Sequence, residues 1–251
     1  MKFKVLASGS KGNCTIVLCD NTKLIIDMGI SYLTLKKSLE ENSLSLLDFS
    51  GILITHCHTD HIRGLSSVLR NTKLNVYIPK EMYESLKEYV ELDRCIFVED
   101  NFNIGDIQIE LIHTSHDAPY SVGYIINYLD KNLVYVTDTG YINRKYLNKM
   151  INKDAYIIES NHDEYMLMNG PYPEFLKNRV KSDSGHLSNK TTALYLNKII
   201  GDKTKTIVLA HLSEKNNTEE KALEAITERE IDKKAEVYIA KQYEEGPMIE
   251  V

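Results

Sequence analysis

Thr55-His56-Cys57-His58-Thr59-Asp60-His61 follows directly on the apolar run Ile52-Leu53-Ile54. Three histidines and one aspartate crowd into it. An imidazole nitrogen is a good ligand for a borderline divalent metal, and a carboxylate oxygen suits the same ions. His56 and His58 alternate across one position, so both can point the same way from an extended segment. Asp60 and His61 follow as a second pair, able to reach a second ion. The plain alternative is a polar surface turn, and a lone histidine is usually structural. Four such groups packed this tightly resist that explanation, because buried polar groups without partners are costly. The spacing therefore predicts a metal-ligating cluster directly after an apolar run.

Further candidates lie downstream, each where an apolar run ends. Ser115-His116-Asp117-Ala118 follows the strand-like stretch 107–112, Thr137-Asp138-Thr139-Gly140 follows 133–136, and Leu209-Ala210-His211-Leu212-Ser213 closes 206–209. An α/β scaffold presents its chemistry at such positions. Upstream stands Leu24-Ile25-Ile26-Asp27-Met28-Gly29. Together these motifs resemble the metallo-β-lactamase superfamily, whose signature is His-x-His-x-Asp-His. Three more stretches narrow the likeness: Ser8-Gly9-Ser10-Lys11-Gly12-Asn13, Glu159-Ser160-Asn161-His162-Asp163 and Gly185-His186-Leu187-Ser188-Asn189. With the tail 209–217 they resemble the exonuclease subgroup often called YycJ or WalJ, over nearly the whole chain.

The resemblance implies an αββα sandwich of two mixed β-sheets flanked by helices, forming one domain over residues 1–251. It implies two divalent ions, Zn²⁺ or Mn²⁺. His56, His58 and His116 would hold one ion, Asp60, His61 and His211 the other, and Asp138 would bridge them. Asp27 is expected behind the site, orienting a ligand. In two-metal hydrolases of this kind the ions lie about 3.5–4 Å apart and clamp a hydroxide that attacks phosphorus. Asp60 would both ligate and orient that hydroxide. In ribonuclease Z-like relatives a glutamate pairs with a histidine, and Glu159 and His186 occupy the matching motifs. The implied activity is removal of nucleotides from the 5′ end of DNA.

His186 precedes Leu187-Ser188-Asn189, which reads as a helix N-cap. Such an N-terminus suits a phosphate. His186 could bind the scissile phosphate or protonate the leaving oxygen, with Ser188, Asn189 and Lys190 contacting the substrate. The bland alternative is a capping histidine. His162 could line the same cleft, whereas His113 has no partner motif and reads as structural. Lys11, Lys177, Arg179, Lys181 and Lys190 are the basic residues near these motifs. The cluster Lys177, Arg179, Lys181 reads either as a solvated helix end or as a contact for a nucleic-acid backbone.

The chain has 251 residues, a length compatible with one large α/β domain. Its hydrophobic fraction of 43% supports a sizeable core. The formal charge is −6, from 30 basic and 36 acidic residues, which lacks the strongly basic footprint of many nucleic-acid binders. Bound divalent ions would reverse the field locally. The four cysteines contain no Cys-x-x-Cys and suggest neither a disulfide framework nor a zinc finger. Cys57, between two ligand histidines, should point away from the metals. No run approaches the ~18 apolar residues of a membrane span, and no leader is evident, so a reducing cytoplasm is the expected compartment.

Hydrophobic periodicity predicts strands over 2–6, 15–19, 23–26, 76–78, 107–112, 121–127, 132–136, 155–158, 206–209 and 235–239. It predicts helices over 32–41, 62–70, 81–91, 143–151, 173–180, 188–200 and 219–229. Only residues 139–185 separate Asp138 from His186, too few for the large domain that ribonuclease J-type relatives insert there. Other activities remain compatible with the residues alone: a ribonuclease, a small-molecule metallohydrolase acting on a cyclic phosphodiester, thioester or lactam, or a non-catalytic scaffold. The complete ligand set argues against the last, and the Glu159/His186 pair favours phosphodiesters.

Overall fold

The computed structural model describes residues 1–251. The first sheet contains β1 (Lys2–Ala7), β2 (Cys14–Leu18), β3 (Lys23–Ile26), β4 (Gly51–Leu53), β5 (Val76–Pro79) and β6 (Cys95–Val98). The second contains β7 (Asn101–Ile104), β8 (Ile107–His113), β9 (Val122–Tyr128), β10 (Lys131–Val136), β11 (Ala155–Glu159), β12 (Thr206–Ala210) and β13 (Glu236–Ile239). The last strand, β14 (Ile249–Glu250), returns to pair with β1, so each sheet has seven strands. Both sheets are mixed. In the first, β1, β2 and β3 pair antiparallel while β3 to β6 run parallel. In the second, β7 to β10 form an antiparallel meander and β10 to β13 run parallel.

The strand alternation says which way each face looks. On β11, Ala155 and Ile157 face the first sheet, while Tyr156 and Ile158 face outward. On β12, Val208 and Ala210 point in, and Ile207 and Leu209 point out. The outward set is covered by α5 (Arg144–Lys149), α8 (Asn189–Ile199) and α9 (Glu219–Thr227) through Tyr146, Leu196 and Ile226. Strands buried on both faces read as continuous apolar runs, as Thr206-Ile207-Val208-Leu209-Ala210 does. The first sheet is covered by α1 (Tyr32–Glu41) and by the group α2 (Thr59–Ile62), α3 (Leu65–Asn71) and α4 (Tyr83–Leu86), using Leu35, Leu39, Leu65, Val68 and Leu86. Two short helices, α6 (Glu164–Asn169) and α7 (Glu174–Val180), stand near the end where the ligand motifs meet.

The helix predicted over 62–70 divides and begins earlier. Thr59 already opens α2, so Asp60 and His61 ride on a helical turn, and the chain restarts as α3 after Gly64. The cause is the close passage of the segment after β3. The Gly64 N–H donates to the Met28 carbonyl, and a Cβ on Gly64 would lie 1.9 Å from the Ile30 carbonyl oxygen. The helix predicted over 81–91 stops after Leu86, where Tyr89 and Val90 both donate to its carbonyl and turn the chain toward β6. Five elements fall outside the predicted ranges: β4, β6, β7, α6 and β14. The four cysteines are free, and Cys57 packs against the core.

Candidate metal centre

The ligand residues leave from the ends of strands in both sheets. His56, His58, Asp60 and His61 follow β4, His116 follows β8, Asp138 follows β10 and His211 follows β12. The junction is hydrogen-bonded across the sandwich: Val122 N–H donates to Thr55 O at 2.9 Å, and the Tyr124 hydroxyl to Ile54 O at 2.6 Å. Asp27, Asp138 and His211 all have left-handed backbones, with φ of 61°, 57° and 56°. Such conformations cost of order 1–3 kcal/mol for residues other than glycine and persist where surrounding contacts enforce them. Here Asp27 N–H donates to Leu53 O and His211 N–H to the Ser8 hydroxyl, each at 2.8 Å.

The ligand atoms gather as His56, His58 and His116 and as Asp60, His61 and His211; His56, His61 and Asp138 also meet, and so do Asp138, Glu159, His186 and His211. His58 Nδ1 and His116 Nε2 face one another at 3.1 Å. Asp60 Oδ2 lies 3.4 Å from His61 Nε2 and 3.5 Å from His211 Nε2. Asp138 stands between the groups, 3.3 Å from both His61 Nε2 and His211 Nε2 and 3.9 Å from His116 Nε2. All seven residues predicted to ligate metal are thus brought together.

These atoms fit divalent ions. His56 Nε2 and Asp138 Oδ2 are buried with no hydrogen-bond partner, an arrangement that native structures seldom tolerate without a reason. Nitrogen and carboxylate donors without a thiolate suit Zn²⁺ or Mn²⁺. The electrostatics agree. Burial alone would raise Asp60 and Asp138, but the surrounding imidazoles hold both carboxyls well below their usual range. Burial would lower His211, yet Asp138, Asp60 and Glu159 pull it up to about 10. The same contest, won by Asp27 and Asp138, raises His61. His56 and His116 are lowered, chiefly by burial. The clusters are positioned for a dinuclear divalent-metal site.

Behind the ligands, Asp27 accepts from Thr55 N–H at 2.8 Å and from the Thr55 hydroxyl, and it meets His61 Nδ1 at 2.7 Å. That contact puts the His61 proton on Nδ1 and frees Nε2 to ligate. His116 Nδ1 meets the Gly185 carbonyl at 3.2 Å and is fixed in the same sense. Asn13 Nδ2 lies 2.9 Å from His61 Nε2 and 3.2 Å from Asp60 Oδ2. Asn161 holds the His211 carbonyl at 2.9 Å. Asn13 and Asn161 fall inside quoted motifs, yet an amide carries no ligand signature and neither was singled out.

Glu159 and His186 form the other part of the site. His186 Nδ1 contacts Glu159 Oε1 at 2.7 Å, and Thr139 and Leu187 N–H both donate to Oε2 at 3.1 Å. Burial would raise this carboxyl, but His186 beside it brings it down to about 2. Glu159 is thus an anion held against the imidazoles of His186 and, at 3.4 Å, His211. Ser188 caps α8, accepting from Thr191 N–H, and its hydroxyl donates to Glu164 at 3.1 Å. Asn189 is buried and spends its amide on Ser160 and Asn217. Lys190 lines a separate depression with Lys221 and Arg229. Only Ser188 of these three borders the cleft beside His186.

His162 does line that cleft. His113 lies outside it and meets Asp100 at 3.0 Å. Of the basic cluster, Lys177 donates to the Met168 carbonyl at 2.7 Å and Lys181 borders the cleft. Arg179 bonds Asp117, whose carboxylate lies 3.4 Å from His116 Nε2. Asp117 was quoted as a neighbour of His116 without a role.

A two-ion His/Asp centre at one edge of an αββα sandwich defines a metallohydrolase scaffold. The model of the β-lactamase superfamily domain matches residues 22–212. Exodeoxyribonuclease YycJ of Bacillus anthracis is 37% identical over 233 residues, covering 91% of this chain and 88% of that protein. Exodeoxyribonuclease WalJ of Streptococcus pneumoniae strain D39 is 36% identical over 228 residues, covering 88% and 85%. Among solved structures, the metallo-β-lactamase fold protein YhfI from Bacillus subtilis superposes with a TM-score of 0.72 at 16% identity, over 99% of each chain. The chain belongs to the metallo-β-lactamase superfamily and, within it, to the family of YycJ and WalJ.

Proposed function

We propose that this protein is a dinuclear-metal phosphodiesterase that removes nucleotides from the 5′ end of DNA, working in the reducing cytoplasm. The observation that carries the reading is the buried Glu159–His186 pair, joined at 2.7 Å beside the ligand cluster. Lactam or thioester hydrolysis has no need of this pair. A phosphodiester has a poor alkoxide leaving group, and a positioned acid answers that need. The likeness to two exodeoxyribonucleases supports DNA as substrate. The four free cysteines and the absence of any helix long and apolar enough to cross a membrane fit the compartment.

Two bound ions would lower the pKa of the attacking water and offset charge developing on the phosphoryl oxygens. His56, His58 and His116 would hold one, Asp60, His61 and His211 the other, with Asp138 shared between them. Asp60 would also accept a hydrogen bond from the attacking water and orient it. Glu159 fixes His186 through Nδ1, which turns Nε2 toward the substrate to give its proton to the leaving 3′ oxygen. Asp27 holds His61 in the tautomer that ligation requires.

The test compares 5′-labelled and 3′-labelled linear duplex, a closed circle and a matched RNA, each with Mn²⁺ or Zn²⁺. Early release of the 5′ label with the circle intact is expected. Equal cutting of the circle, preference for RNA, or activity confined to small phosphodiesters overturns the proposal.

A further inference from the structure

A cavity of about 330 Å³ opens beside His186, and none of the seven ligand residues lines it. Its wall carries His162, Leu167, Met168, Lys181 and Thr191. We propose that this cavity is a subsite for a deoxynucleoside 5′-monophosphate: it receives the terminal nucleotide, the one that leaves. The proposal rests on the 5′-exonuclease reading and adds to it where that nucleotide sits and what holds it.

The reaction itself fixes the side. Water oxygen bonds to phosphorus as the P–O3′ bond breaks, and the His186 Nε2 proton goes to O3′. That oxygen belongs to the terminal nucleotide. The nucleotide must therefore lie next to His186 and opposite the ions. The products are a free 5′-nucleotide and a strand that again begins with a 5′-phosphate, so a site selective for that phosphate serves every turnover.

The lining chemistry fits. Lys181 is exposed at the end of α7 and makes no ion pair. Thr191 places a hydroxyl, 3.0 Å from that of Ser188, in the first turn of α8, at the positive end of an 11-residue helix. His162 is only 3% exposed, and its Nδ1 has no hydrogen-bond partner, an arrangement that native structures seldom leave without a reason. Leu167 and the 46% exposed Met168 give an apolar wall for a base. Glu164, the acid on this wall, is engaged by the Ser188 hydroxyl at 3.1 Å. The volume lies at the low end of small-molecule pockets, about 300–1,000 Å³, which admits one nucleotide and not a strand.

The test measures binding to the metal-loaded protein by calorimetry, using thymidine 5′-monophosphate, thymidine and inorganic phosphate. Wild type, Lys181→Ala and His162→Gln are compared, and the same preparations are given linear duplex with a 5′-phosphate or a 5′-hydroxyl. The monophosphate should bind better than either fragment. Lys181→Ala, a surface change, should weaken it at least about tenfold, as expected for a lost charge-assisted contact, and should shrink the preference for 5′-phosphorylated ends. His162→Gln should weaken the monophosphate and thymidine together. Monophosphate binding indifferent to both variants but abolished by chelation would place the nucleotide on the metals and overturn the subsite, while continued DNA degradation leaves the exonuclease reading standing. Lys181-dependent binding with no release of nucleotides from DNA would support the cavity and remove the exonuclease reading instead.

Discussion

His186 and Asp27 never touch an ion in the arrangement above, yet they do different work. His186→Ala should keep both metals and slow DNA cleavage by about 10²–10⁴-fold, the usual contribution of general acid catalysis. The defect should shrink on bis-p-nitrophenyl phosphate, whose leaving group needs little protonation. Metal loss in this variant, measured by elemental analysis, would make His186 a ligand instead. Asp27→Asn removes the carboxylate that fixes the Nδ1 proton of His61, so metal affinity should fall about 10–100-fold. A chelator titration checks this, and an unchanged affinity would sink the positioning role.

At the level of elements, the site depends on the loop after β3 running hard against the cluster. A Cβ on Gly29 would lie 1.7 Å from the Asp60 carbonyl oxygen and 2.5 Å from Asn13 N, both backbone atoms unable to yield. Gly29→Ala should therefore lose metal and either fail to fold or melt far below wild type. Gly246→Ala is the control. Its Cβ meets nothing closer than the Val5 carbonyl at 3.4 Å, so thermal melts should stay within about 0.5 kcal/mol of wild type. Contacts of this kind also explain what could and could not be read from sequence. Central strands such as β11 and β12 were legible because burial on both faces leaves an uninterrupted apolar run. The seven residues brought together at the centre could be picked out because histidine and aspartate at strand ends carry their own chemistry. β6 was not, since Ile96 and Phe97 are both partly exposed at a sheet edge and show no alternation. The division of the 62–70 helix was hidden because it is imposed by residues 28–30, distant in sequence. Asn13, Asn161 and Asp117 were passed over because their importance lies in what they touch.

Across the whole molecule the formal charge is −6, while the centre gathers four carboxylates, Asp27, Asp60, Asp138 and Glu159. In the metal-free protein, protons offset them. His211, raised to about 10, is protonated at pH 7 and must give up its Nε2 proton to ligate. Metal loading near neutral pH should release at least one proton per chain, read from the dependence of binding enthalpy on buffer ionisation. Affinity should fall about tenfold per pH unit per displaced proton on acidification, and the release should vanish above about pH 10. Without metal the sign reverses. A raised histidine stabilises the fold fully below its ordinary value and loses that contribution as pH rises through about 10. No proton release on loading would contradict this account.

The same seven residues have a mechanical consequence. His56 leaves one sheet and His211 the other, so ions held between them act as removable cross-links closing a very long loop. To pull the sandwich open, the chain must first let go of the metal. Holding the sheets together at their open edge should slow unfolding more than it speeds folding, if the centre assembles only after the strands have paired. Stripping the ions should shorten the protein's lifetime against proteolysis and denaturant. The protein would then be durable only while its catalytic centre is loaded, and an empty copy would be the first to be cleared.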